Sequence, residues 1–137
     1  MDIAQTISSE IKTAVDTLYE YDSMNQLKKI TYSDTSTVVN TYDDRGNLVQ
    51  AVNNVGTSSY TYDVYNRMIS ESDPNGATTS YGYDNANNLV TVTYPDGKVV
   101  TNAYDNSNRL STTTDWNTQQ TSYQYNANGS LASKQMP

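Results

Sequence analysis

A tyrosine followed by an acid returns along this chain at an almost fixed interval, and that period constrains the fold more than any single residue does. The pairs are Tyr21-Asp22, Tyr42-Asp43, Tyr62-Asp63, Tyr83-Asp84 and Tyr104-Asp105; a sixth copy, Tyr125-Asn126, replaces the acid by its amide. Successive tyrosines stand 20 or 21 residues apart. Self-similarity at such a period marks a repeat architecture, in which each unit covers its apolar surface with its neighbours.

Within one copy, Tyr81 and Tyr83 lie two residues apart, so a strand would present both on one face. Asp84-Asn85-Ala86-Asn87 then reads as a three-residue hairpin loop, a type I turn followed by a left-handed residue in a bulge. The aspartate can accept hydrogen bonds from the turn's own N–H groups. Its third successor must be left-handed, which suits Gly or Asn because other side chains clash there. That position holds Asn25, Gly46, Asn66, Asn87, Asn108 and Gly129 in the six copies. In the sixth, Asn126 is expected to keep the side-chain carbonyl that the turn uses.

The loop fixes a register. The residue six after each repeat tyrosine should lie directly opposite it, and those residues are Leu27, Leu48, Met68, Leu89, Leu110 and Leu131. Each Tyr/Leu pair would contribute ~0.2–1 kcal/mol, and together they form a stripe that serves as the core. The same register sets Asp63 opposite Arg67 and Asp105 opposite Arg109. Elsewhere the partner is Gln26, Asn47, Asn88 or Ser130, so turn geometry rather than an ion pair accounts for the recurrent acid.

After Leu89 comes a β-branched strand, Val90-Thr91-Val92-Thr93-Tyr94. Pro95-Asp96-Gly97 closes it with a second turn, as Asp73-Pro74-Asn75-Gly76 does one repeat earlier. Asn53-Asn54-Val55-Gly56 is a looser version, Asp115-Trp116-Asn117-Thr118 reads as a degenerate one, and copy one is weakest, with Ser33-Asp34-Thr35-Ser36. Simple alternation puts Val90, Val92, Ser111 and Thr113 on the face away from the tyrosines. The expected fold is all-β: an antiparallel β-hairpin meander of tandem repeats over residues 19–137, curled or coiled into a spiral sheet, with one short N-terminal α-helix.

That helix is expected over residues 1–18. Ile3, Ile7, Ile11, Val15 and Leu18 recur at helical spacing, and Asp2 can cap the start. Its apolar stripe would cover an exposed sheet edge or act as a linker to a neighbouring module.

Thirteen tyrosines with no phenylalanine, cysteine or histidine suit a thin sheet with shallow burial, since a tyrosine ring packs while its hydroxyl tolerates water. A net charge of −7 argues against nucleic acid or an anionic membrane as the main partner. Neither a signal sequence nor an apolar run long enough to insert in a membrane is present in these residues. Without His, Cys or a glycine-rich phosphate loop, the chain is not expected to be an enzyme or to hold a cofactor or metal.

Tyr-x-Tyr-Asp-x-x-(Gly/Asn)-(Arg/Asn)-Leu, followed by Pro-Asp-Gly or Pro-Asn-Gly, resembles the YD repeat. This is the unit of rearrangement-hotspot (RHS) proteins, toxin-complex shells, bacterial wall-associated proteins and teneurins. The resemblance spans about residues 19–131. It implies a spiral β-sheet forming part of a hollow shell that encloses a C-terminal effector, and a secreted or cell-surface bacterial location. The implied partners are neighbouring repeats or that effector. The alternative is a carbohydrate-binding or adhesion module at a cell surface. Tyr32, Tyr65, Tyr94 and Trp116 lie off the repeat-pair positions and are the candidate glycan contacts. An open sheet would also be prone to form homo-oligomers through its edges.

Overall fold

The structure, a computed structural model, describes residues 16–137. It is all-β, with twelve strands hydrogen-bonded in chain order. They are β1 (Leu18–Tyr21), β2 (Leu27–Thr31), β3 (Thr37–Tyr42), β4 (Leu48–Val52), β5 (Thr57–Tyr62) and β6 (Met68–Ser72). Then follow β7 (Thr78–Tyr83), β8 (Leu89–Thr93), β9 (Val99–Tyr104), β10 (Leu110–Thr114), β11 (Gln120–Tyr125) and β12 (Leu131–Gln135). Contacts cluster into two units, Met1–Ser59 and Tyr60–Pro137, divided within β5. Most of the helix expected over 1–18 lies outside the described residues. Leu18, which the helical spacing claimed, instead opens β1.

In the first unit Tyr21 pairs with Leu27 and Tyr42 with Leu48. In the second, Tyr83 pairs with Leu89, Tyr104 with Leu110 and Tyr125 with Leu131. The six expected left-handed residues all have positive φ, from 56° to 87°. Local turn chemistry therefore sets the register, as the spacing predicts.

The next step of each hairpin departs from alternation. Glu20 faces Lys29, Thr41 faces Gln50, Gly82 faces Thr91, Ala103 faces Thr112 and Gln124 faces Ser133. Lys28, Val49, Val90, Ser111 and Ala132 are thus extra residues, one β-bulge beyond each turn. A bulge reverses the alternation that follows it. Val92 lies opposite Tyr81, and Thr113 opposite Asn102, so both share the tyrosine face rather than the face expected for them.

Moving Val92 across leaves the other face of the second unit uncharged and mostly hydroxylated. One row crosses it as Gly82, Thr91, Thr101, Thr114 and Gln120, each directly paired with the next. Ser72 and Thr78 share a hydrogen bond there at 2.7 Å. Gly82 sits in this row because Thr91 leans over it: a Cβ at Gly82 would lie 2.2 Å from Thr91 Oγ1.

No described side chain is buried outright. The interior Tyr/Leu stripe is half-buried on a single sheet, so a core in the usual sense is absent among the described residues. Apolar burial at ~25 cal/mol per Å² is shared thinly over many such pairs.

Candidate functional site

With the exception of Asn53–Gly56, both rims of the sheet are built from one kind of turn. At the Tyr-Asp rim, the Asp84 N–H donates to the Asn88 carbonyl at 3.0 Å and the Asn87 N–H to the Asp84 carbonyl at 3.2 Å. Asp84 Oδ1 then accepts the N–H groups of Ala86 and Asn88, both at 2.9 Å. Asp22, Asp43, Asp63 and Asp105 accept the corresponding pairs. Asn126 departs from this scheme. Its amide donates to Ser130 Oγ, and the Ser130 N–H goes to Asn128 Oδ1 instead.

The second rim repeats the same loop. Asp73 and Asp115 accept from the residues two and four further on, as the Tyr-Asp acids do. Asp115-Trp116-Asn117-Thr118 is therefore a full member of the series, not a degenerate one. The sequence hides it because Thr118 stands where Gly76 and Gly97 stand elsewhere, and Thr118 takes φ +64° nonetheless. Thr35 does the same at φ +68°. Asn53–Gly56 is the odd one: its two ends exchange both backbone bonds in a loop one residue shorter. Tyr32 and Tyr94 occupy the first position of their loops, where the other turns have Asn or Asp.

Repeats are tied to one another by the tyrosine hydroxyls. Tyr42 donates to the Leu27 carbonyl at 3.0 Å, Tyr83 to Met68 at 2.9 Å, Tyr104 to Leu89 at 3.0 Å and Tyr125 to Leu110 at 2.9 Å. Each bond spans fifteen residues, from one hairpin to the preceding one. Asn40 and Asn102 reinforce it by donating to the same Leu27 and Leu89 oxygens. Nothing in the composition signals this, because the bond depends on a strand pairing that side-chain type alone does not reveal.

Arg67 adds a second tie. Its Nε donates to Asp63 Oδ2 at 2.7 Å, while Nη1 reaches the Asp84 carbonyl and Asn87 Oδ1, both at 3.0 Å. The guanidinium lies 4.7 Å from the Tyr83 ring centroid and 5.2 Å from that of Tyr65. Arg109 repeats the arrangement with Asp105 and Tyr125. Asn88 links to Asn108 in the following turn at 3.2 Å. Reading these arginines only as partners of the facing acids misses their reach into the next repeat.

Of the four candidate glycan contacts, two meet. Tyr94 and Trp116 stand edge to face, 6.5 Å apart at 85°. Lys98 Nζ lies 5.1 Å from the Trp116 centroid and pairs with Asp96 at 2.7 Å. A shallow hollow of about 460 Å³ is lined there by Asp96, Gly97, Lys98, Val99, Asp115 and Trp116. Tyr65 is 73% exposed at the opposite rim, beside Arg67, and Tyr32 is also exposed.

Hydrogen bonding shifts several titrations. The Glu71 carboxylate accepts the Tyr81 hydroxyl at 2.6 Å, and that bond, with burial, pushes the phenol up to about 12. Bonds from the Asn88 side chain and then its backbone hold the Asp84 carboxyl below the usual range. Asn47 does the same for Asp43, and Arg109 for Asp105. The aspartate shifts follow from turn bonding, and that of Tyr81 from a cross-strand bond. Among the described residues no cluster of three or more Asp, Glu, His or Cys side chains could hold a metal ion. No helix of the described residues is long and apolar enough to cross a membrane.

The sequence model of the RHS Repeat family matches residues 42–78 and 66–99. Over residues 42–99 these are RHS repeats. The repeat array also resembles solved structures. The structure titled TcdB2-TccC3-Cdc42 superposes with a TM-score of 0.76 at 17% identity, covering 86% of this chain and 7% of the other. TcdB2-TccC3 without its hypervariable C-terminal region superposes at 0.75 and 17% identity, over 98% of this chain and 8% of the other. At that identity the likeness is one of fold. A comparison with curated proteins gave no match. The chain thus spans less than a tenth of each of these two solved chains.

Proposed function

We propose that this RHS segment is a stretch of wall in a larger β-sheet shell that encloses a toxin or effector polypeptide. The observation that carries the reading is the recurrence of one inter-repeat bond, tyrosine hydroxyl to the carbonyl fifteen residues back. A sheet joined by identical steps extends without a built-in end, as a wall requires. The likeness to small parts of much longer TcdB2-TccC3 chains, one of them lacking a hypervariable C-terminal region, supports it. Secretion and a downstream effector belong to the same proposal. The test is protease protection of a reporter domain placed after a longer array containing these repeats. Protection that is lost on Tyr83→Ala with Tyr104→Ala supports the wall; a reporter digested equally fast with and without those changes refutes it.

A second reading rests on the Tyr94–Trp116 ledge with its Asp96–Lys98 pair, a surface able to stack a sugar ring and bond its hydroxyls. Oligosaccharide binding that disappears in Trp116→Ala would establish it, and the absence of binding by the parent chain would dismiss it.

A further inference from the structure

Three turns set an Asn or Asp directly before a left-handed glycine: Asn75-Gly76, Asp96-Gly97 and Asn128-Gly129. Each pair is exposed, and a Cβ on any of the three glycines would meet nothing within 4 Å. In such a pair the glycine nitrogen can attack the preceding side-chain carbonyl, with no Cβ to shield it. The Gly76 and Gly129 N–H groups are both engaged, with the Asp73 and Asn126 carbonyls at 2.9 Å, so that restraint does not distinguish the two amides.

Their side chains do distinguish them. Asn128 Oδ1 accepts the Ser130 N–H at 3.1 Å and the Ser130 hydroxyl at 2.7 Å. The first bond closes a short loop that runs through the Asn128 side chain and the Gly129 nitrogen. Asn126 Nδ2 donates to Ser130 Oγ at 2.9 Å and so fixes the hydroxyl that points at Asn128. Two donors on one carbonyl oxygen draw charge from its carbon and stabilise the oxyanion formed on attack. At Asn75 the amide only approaches Asp73 Oδ2, at 3.5 Å, and the Ala77 N–H is taken by Asp73 Oδ1. Asp96 Oδ1 accepts the Lys98 N–H while Oδ2 pairs with Lys98 Nζ, and an ionised carboxylate is a poor electrophile.

We propose that Asn128 is a site of self-modification, cyclising with Gly129 and opening to aspartate or isoaspartate. Hydroxide from solvent removes the Gly129 amide proton, the nitrogen bonds to Asn128 Cγ, and the Cγ–Nδ2 bond breaks to release ammonia. Water then adds across either imide C–N bond. One opening gives aspartate; the other places an additional methylene in the backbone of the turn that precedes Leu131. Both add a negative charge at the Tyr-Asp rim.

The experiment is peptide mapping by mass spectrometry of the intact chain, aged at mildly alkaline pH, with isoaspartate detected by enzymatic methylation. Asn128 should convert before Asn75. Ser130→Ala should slow Asn128 roughly two- to tenfold, the equivalent of one hydrogen bond, and leave Asn75 unchanged. Ser130→Thr, which keeps both donors, should retain the parent rate. Conversion of Asn75 first or at an equal rate overturns the proposal, and so does an unchanged rate in a Ser130→Ala chain whose circular dichroism matches the parent.

Discussion

Tyr104 donates its hydroxyl to the Leu89 carbonyl at 3.0 Å, and Asn102 donates to the same oxygen at 3.1 Å. The Met68 carbonyl accepts Tyr83 at 2.9 Å, where Gly82 and Tyr81 leave no equivalent amide at the position of Asn102. Removing the hydroxyl should therefore cost more at Tyr83 than at Tyr104. Tyr83→Phe is expected to lose about 1 kcal/mol and Tyr104→Phe about half of that. Urea midpoints of the two variants check the order, and equal losses would contradict it.

Arg67 makes contacts that a point charge does not reproduce: a fork on Asp63, two acceptors in the next turn, and a tyrosine face. Arg67→Lys keeps the charge and loses the planar geometry. It should destabilise by about 1–2 kcal/mol, through the lost bonds to the Asp84 carbonyl and Asn87 and the lost stacking. Arg109→Lys should cost less, since its side chain is more exposed, at 34% against 21%. Thermal unfolding of both variants at matched ionic strength measures the difference.

Acid should weaken the Tyr-Asp rim. The folded-state carboxyls of Asp84, Asp43 and Asp105 titrate below their ordinary value because side-chain and backbone donors favour the charged form. A depressed folded value means the contribution is complete above the unfolded pKa, about 3.9, and is lost as pH falls through the lower folded value. Stability should stay level down to about pH 5 and fall beneath about pH 4. Asp84→Asn should take away part of that acid-sensitive loss and lower neutral-pH stability, because an amide oxygen can still accept the Ala86 and Asn88 N–H groups but the amide NH2 cannot accept the Asn88 side chain. A pH series of urea midpoints decides it; a variant as acid-sensitive as the parent would count against this assignment.

Thr118 holds a backbone geometry that a β-branched residue takes at a cost, φ +64°. Thr118→Gly should raise stability by roughly 1 kcal/mol, with the gain from relieved strain reduced by glycine's larger chain entropy. The converse change, Gly97→Thr in the neighbouring loop at φ +81°, should lower it. Melting temperatures of the pair should move in opposite directions.

How much of this is legible in the sequence depends on how local its cause is. The left-handed positions and the Tyr/Leu register are carried by four or five adjacent residues, and turn chemistry states them openly. The bulge is different: Lys28, Val49, Val90, Ser111 and Ala132 share no side-chain property, so alternation runs on uncorrected and puts Val92 and Thr113 on the wrong face. Thr118 escapes for the opposite reason, since backbone geometry there overrides the residue preference that a reader relies on. The reach of Tyr104 to Leu89 and of Arg67 to Asn87 appears only once neighbouring strands are laid side by side.

The bulge has a consequence for how such a chain tolerates change. Most copies repeat one turn, one extra residue and one backward-reaching hydroxyl, so little in a copy encodes its ordinal number. A block of 21 residues, the usual interval between repeat tyrosines, can be deleted or duplicated in frame and leave every junction chemically the same. A single inserted residue has no such licence, because it transfers the rest of its strand to the other face of the sheet. The array can therefore change length by whole copies far more readily than by single residues within one.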